Sequence, residues 1–182
     1  MMSYFDLVVR EFCYEQGCIE IHTPKIIPAA SEGGAELFRL DYFGRDAYLA
    51  QSPQLYKQMA IASGFGKVLE IAPAFRADPS FTSRHVTEIT MLDIEISPIE
   101  SPEDVISFAE HMLQTAFSKI HTRFASKVAE LYDREITIPS LPFPRTTFTQ
   151  AREILEKEFG IAIAEDEDMR SEEHTSELQP LT

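Results

Sequence analysis

Arg76, Arg84 and His85 fall in one stretch between two apolar segments that themselves carry Glu70, Glu88, Asp93 and Glu95. Guanidinium groups grip phosphate oxygens with a two-pronged fork, and carboxylates hold an ammonium. A loop with two guanidiniums beside a carboxylate-lined sheet face suits a molecule with phosphates at one end and an amine at the other. The same spacing also fits a solvated loop with surface ion pairs, so these residues alone do not decide. Other chemistries lack their residues. The sequence has no G-x-x-x-x-G-K-[ST] loop, G-x-G-x-x-G turn, G-x-S-x-G elbow or H-E-x-x-H helix. Cys13 and Cys18 are too few for a disulfide scaffold or a zinc site and read as buried free thiols.

The elements that would carry these groups can be traced along the chain. Ser3 followed by Asp6 reads as a capping box opening a helix of about 14 residues, with Phe5, Val8, Val9 and Phe12 on one face and Gly17 at its end. Residues 18–22 alternate as a strand that stops at Thr23-Pro24. Residues 28–36 form a small-residue, Gly-Gly loop. Residues 37–43 and 47–51 read as a hairpin around Gly44-Arg45. Ser52-Pro53 caps a helix that runs to about Ser63. Residues 67–75 and 87–97 are the two strongest strands, the second changing phase near Met91-Leu92 as a bulge or a doubly buried strand would. Ser101-Pro102-Glu103-Asp104 starts a long helix to about Leu131. Pro139, Pro142 and Pro144 then stiffen a linker before a helix over about 149–159, closed by Gly160. Hairpin-linked strands with helices between them predict an α+β domain, an antiparallel β-sheet flanked by helices.

Composition narrows the function. The 182 residues are 44% hydrophobic and 25% charged, enough to bury a core. No apolar run approaches the roughly 18 residues needed to cross a bilayer. The net charge is −14, of which residues 165–182 supply −6 through seven acids and one base, leaving −8 for the body. No basic groove for nucleic acid is expected from either figure. Residues 166–182 read as an acidic appendage without periodicity, and residues 170–179 look like translated sequencing adapter.

The order of four segments makes a resemblance specific: Ile21-His-Thr-Pro-Lys25; Ala30-Ser-Glu-Gly-Gly-Ala35; Gln51-Ser-Pro-Gln-Leu-Tyr-Lys-Gln58; and Phe75-Arg-Ala-Asp78 with Arg84-His-Val-Thr-Glu88 and Leu92-Asp-Ile-Glu95. Over about residues 4–165 they resemble class II aminoacyl-tRNA synthetases of subclass IIb, most closely the archaeal/eukaryotic aspartyl type. The resemblance implies the catalytic core of that class, a six- to seven-stranded antiparallel sheet flanked by helices. It also implies ATP-dependent activation of aspartate and transfer to tRNA in the cytoplasm. The opening helix and the strand ending at Pro24 would be motif 1, which in this family forms a homodimer interface.

By the same resemblance, Glu32 on the mobile loop would take the aspartate ammonium with help from Asp93. Gln54 and Lys57 would bind the substrate, Lys57 offering a point charge to its side-chain carboxylate. Asparagine could not exploit that charge, and a poorly compensated buried cation is costly. Arg76 would act catalytically at the α-phosphate of ATP. Asp78, Arg84, His85 and Glu88 would complete the ATP site, with Arg84 and His85 toward the γ-phosphate. No residue of the chain is assigned to a metal, because the family's magnesium (Mg2+) ligands lie near a third motif.

The departures from the family pattern have consequences. Asp78 stands where the family usually has Glu, and Ile89 where it often has an aromatic ring stacked on adenine, a loss on the order of 1 kcal/mol. Ala74 and Pro98 also differ. No Gly/Glu/Arg run of the third-motif kind follows Glu95, and the resemblance implies that residue 1 falls partway through the motif 1 helix, after the place of the family's anticodon-binding barrel. With half an active site the chain is expected to be inactive and unstable alone. Two other readings stand beside this one: a synthetase-related asparagine synthetase, and a non-catalytic paralogue that keeps the dimer surface.

Overall fold

The structure, a computed structural model, describes residues 1–29, 37–77 and 86–163. Of the expected site, Glu32, Asp78, Arg84 and His85 lie outside these residues, as does the 166–182 appendage. The chain divides into two compact units, residues 1–142 and 143–182, with the division inside the proline-rich linker.

In the first unit, the elements are α1 (Met2–Glu15), β1 (Ile19–Glu20), β2 (Ile26–Ile27), β3 (Arg39–Tyr42), β4 (Arg45–Leu49), α2 (Gln54–Ala62), β5 (Lys67–Phe75), β6 (Glu88–Ile96) and α3 (Pro102–Tyr132). The second unit holds α4 (Phe148–Phe159). Its N-cap is Thr147, whose hydroxyl accepts from Gln150 N while the Gln150 side chain accepts from Thr147 N. Gly160 closes it at a positive φ of 68°, which glycine adopts without steric cost. Arg152 reaches from α4 to the carbonyl of Ile163 at 2.6 Å.

The α+β reading holds, with changes of detail. The described strands form two three-stranded sheets, β1-β5-β6 and β2-β4-β3, rather than one sheet of six or seven. They meet where Phe75 N donates to the Ala50 carbonyl at 2.9 Å. β1 runs parallel to β5, a pairing that the long segment between them permits, whereas β5 and β6 pair antiparallel. The expected bulge in β6 is absent: pairing is continuous from Lys67↔Ile96 to Phe75↔Glu88. The phase change at Met91-Leu92 instead reflects burial on both faces.

Those two faces differ in chemistry. Alternation along paired strands puts Leu69 and Ile71 of β5 with Leu92 and Ile94 of β6 on one side. There α1 and α3 cover them, and Val8, Val9, Phe12, Cys13, Met112 and Ala116 complete the core. Phe12 meets Phe108 edge to face at 5.4 Å between ring centres. Burying each Val or Leu here contributes about 1.5–3 kcal/mol. Cys13 and Cys18 are buried free thiols in this layer. The other side of the same strands carries Glu70, Ala72, Ala74, Met91, Asp93 and Glu95, and α2 packs there.

Two caps also differ from expectation. α1 begins two residues early and has no side-chain cap, so Ser3 and Asp6 lie inside the helix. α2 is capped by Pro53, with Ser52 Oγ accepting from Gln54 N at 3.2 Å. The β3–β4 hairpin turns at Phe43-Gly44, one residue earlier than expected. Both turn residues have positive φ, 53° and 75°, as a two-residue hairpin turn requires. α3 starts as its sequence predicts, with a reciprocal Ser101–Asp104 box. Among the described residues no helix is long and apolar enough to cross a membrane.

Candidate active site

The polar face of the β5–β6 pair gathers the chemistry. Lys57 is one turn into α2, its backbone N–H donating to the Pro53 carbonyl at 3.0 Å. Because α2 lies against β5 and β6, that position points the side chain down onto the sheet. Lys57 is 3% exposed, an unusual burial for an ammonium. It is held by Asp93, with which it forms a short ion pair, and by Glu95 at 3.2 Å. The resemblance implies that Asp93 helps Glu32 to take the substrate ammonium. In the structure Asp93 faces Lys57, since residues 93 and 95 share a strand face and flank the same amine. Glu95, one of the carboxylates of the second strand, joins the site through its i, i+2 spacing from Asp93.

Directly opposite Asp93 in register is Glu70, 1% exposed. Its Oε1 accepts from Thr23 N at 2.6 Å, and its Oε2 accepts from Thr23 Oγ1 at 2.8 Å and Lys25 Nζ at 3.0 Å. Glu70, Thr23 and Lys25 meet only once β5 is laid beside the 21–27 segment.

Arg76 follows β5, and its N–H donates to the Thr87 carbonyl at 3.0 Å. Counting in twos from Glu70 puts it on the face that holds Lys57 and Asp93. The buried Arg76 Nε has no hydrogen-bond partner among the described residues. A buried donor left open in this way is costly unless a ligand meets it. Gln54, half-buried, opens α2 near the same face. Glu88 does not join this face. It pairs with Phe75, is exposed, and by alternation belongs to the side of Leu92 and Ile94.

This placement coincides with a family match. Residues 3–179 match the model of the tRNA synthetases class II (D, K and N). The chain belongs to that family. It is 49% identical over 164 residues to the aspartate–tRNA(Asp/Asn) ligase of Methanopyrus kandleri, covering 90% of this chain and 38% of that protein. It is 47% identical to the aspartate–tRNA(Asp) ligase of Pyrococcus horikoshii, covering 90% of this chain and 37% of that one. This class II chain therefore spans little more than a third of its curated relatives. Among solved structures, the asparaginyl-tRNA synthetase of P. horikoshii complexed with asparaginyl-adenylate superposes with a TM-score of 0.84 at 31% identity, over 92% of this chain and 38% of that one. The aspartyl-tRNA synthetase of Entamoeba histolytica gives 0.73 at 36% identity, over 92% and 31%. The fold of this class II chain is thus that of both branches, while its sequence is nearer the aspartyl relatives.

Proposed function

We propose that the chain is part of an aspartate–tRNA ligase and carries the aspartate pocket and the α-phosphate contact of its active site. The observation that carries this reading is the buried Lys57 ammonium on the sheet face that also bears Arg76. Two carboxylates fix Lys57, and its third N–H remains to meet an acidic side chain. Asparagine brings no charge to that position and gains less from it. The closer identity to aspartyl relatives supports the same choice.

Asp93 and Arg76 lie on the same face of the β5–β6 pair, so a molecule held by Lys57 and Arg76 lies along that face. In the reaction the aspartate α-carboxylate attacks the α-phosphorus of ATP, the bond to pyrophosphate breaks, and aspartyl-adenylate forms. Arg76 neutralises charge growing on the phosphoryl oxygens, so the chain works through position and electrostatics without a covalent intermediate. The ester to the terminal adenosine of tRNA follows. Gln54 lines the aspartate end, Glu32 takes the substrate ammonium, and Asp78, Arg84 and His85 serve the nucleotide. Among the described residues no group of three or more His, Cys, Asp or Glu could hold a metal ion. A cytoplasmic homodimer joined through α1 and the Pro24 segment completes the reading.

The test is aspartate-dependent exchange of pyrophosphate into ATP by the full-length gene product. Exchange with aspartate and not with asparagine supports the assignment; exchange with asparagine alone overturns it.

A further inference from the structure

We infer that Glu70 is a positioning residue that couples the amino-acid end of the site to its phosphate end, an inference that rests on the function proposed above. One buried carboxylate collects three donors: Thr23 N, Thr23 Oγ1 and Lys25 Nζ. Lys25 Nζ also donates to Thr23 Oγ1 at 2.9 Å, which closes the cluster on itself. Two backbone bonds carry this fixed point onward. The Lys25 carbonyl accepts from Ala50 N at 2.9 Å, and the Ala50 carbonyl accepts from Phe75 N at 2.9 Å.

The chain at Ala50 is thereby held from both sides. On its C-terminal side come Gln51 and Ser52, both buried, and then the helix that aims Lys57. On the other side, Phe75 is followed at once by Arg76. Glu70 stands opposite Asp93, the partner of Lys57, so it is joined to the site across the sheet as well as along this relay. It touches neither Lys57 nor Arg76 in any recorded contact, and its effect runs through the geometry of both.

Glu70→Gln isolates this role. An amide has one acceptor oxygen where the carboxylate has two, so it cannot serve Thr23 N, Thr23 Oγ1 and Lys25 Nζ together, and it leaves the Lys25 ammonium uncompensated. The experiment compares the full-length wild type, E70Q and E70Q/K25M by pyrophosphate-exchange kinetics and by backbone amide hydrogen exchange. For E70Q the expected result is a rise of at least tenfold in KM for aspartate with a smaller change in kcat. Exchange should quicken at the Ala50 and Phe75 amides and stay unchanged at Val9 and Ala116 in the helical core. Removing the stranded charge in E70Q/K25M should recover at least threefold in KM.

An unchanged KM in folded E70Q overturns the inference. So does equal quickening at Val9 and Ala116, which marks general loss of structure. Should the wild type show no aspartate-dependent activity, the proposed function fails, whereas the amide pattern still decides whether Glu70 anchors the Ala50 relay.

Discussion

The ammonium of Lys57 and the carboxylate of Asp93 form an ion pair across 36 residues of sequence, joining the only described helix on the polar sheet face to the strand beneath it. Glu95 braces the same amine from one strand repeat further on. An ion pair this buried is weak evidence of stability, because desolvation offsets most of the attraction. What it supplies is a fixed charge, held without freedom to swing toward solvent.

Replacing Lys57 by Met should therefore affect activity more than fold. Two partly exposed carboxylates lose their partner, at a cost of about 1–3 kcal/mol in unfolding free energy. kcat/KM for aspartate in pyrophosphate exchange should fall at least about 100-fold, close to 2.7 kcal/mol of transition-state stabilisation. A folded Lys57→Met variant with wild-type aspartate kinetics would remove the basis for the substrate assignment.

Arg76→Ala should show the reverse of a structural substitution. The Arg76 Nε has no hydrogen bond among the described residues, so little folding energy rests on it. The thermal midpoint should move by no more than about 2 °C, while exchange falls about 10²–10³-fold, as on removing one oxyanion donor. Calorimetry on the same preparations checks the first half. A large drop in midpoint would assign Arg76 to the fold instead.

Acid should weaken the start of α3 in a predictable sense. Backbone N–H groups of Ser101 and Glu100 donate to Asp104 and hold its carboxyl below the usual carboxylate range. A group whose folded pKa is depressed stabilises above its unfolded value, about 3.9, and loses that contribution as pH falls through the folded value. The midpoint difference between wild type and Asp104→Asn should be present at pH 7 and close below about pH 4. A difference that persists at pH 2–3 would contradict the capping account.

Thiol chemistry tests the core. The hydrogen bond to Cys18 is the larger cause, and burial the next, that hold the Cys13 thiol far above the ordinary cysteine range, while the same bond draws Cys18 down. Native protein at pH 8 should leave Cys13 unmodified by iodoacetamide, because the thiolate is the nucleophile. Urea-unfolded protein should be alkylated at both positions. Rapid native modification of Cys13 would show the α1–α3 layer to be open.

Much of this molecule is legible in its residues. β5, β6 and α3 follow their hydrophobic patterns and caps almost to the residue, since propensity, period and capping agree there. Short strands were harder. β1 and β2 are two residues each, and no local period exists at that length; they are defined by partners at Val68 and Leu49. The hairpin turn moved by one residue because Phe43 accepts a positive φ that its side chain disfavours. Within the site, Lys57 and Asp93 stood out by type and spacing. The Glu70–Thr23–Lys25 cluster did not, because a parallel pairing between distant segments assembles it. Glu88 lies on the opposite face by alternation, a placement that its type and spacing alone do not reveal.

The central claim is that Lys57 and Arg76 grip one molecule from the same sheet face. The most direct measurement is a crystal structure of the full-length gene product with a non-hydrolysable aspartyl-adenylate analogue. The account predicts the aspartyl side-chain carboxylate within about 3.2 Å of Lys57 Nζ, and the group replacing the α-phosphate hydrogen-bonded to the Arg76 guanidinium. An analogue bound with either residue turned away to solvent would contradict it.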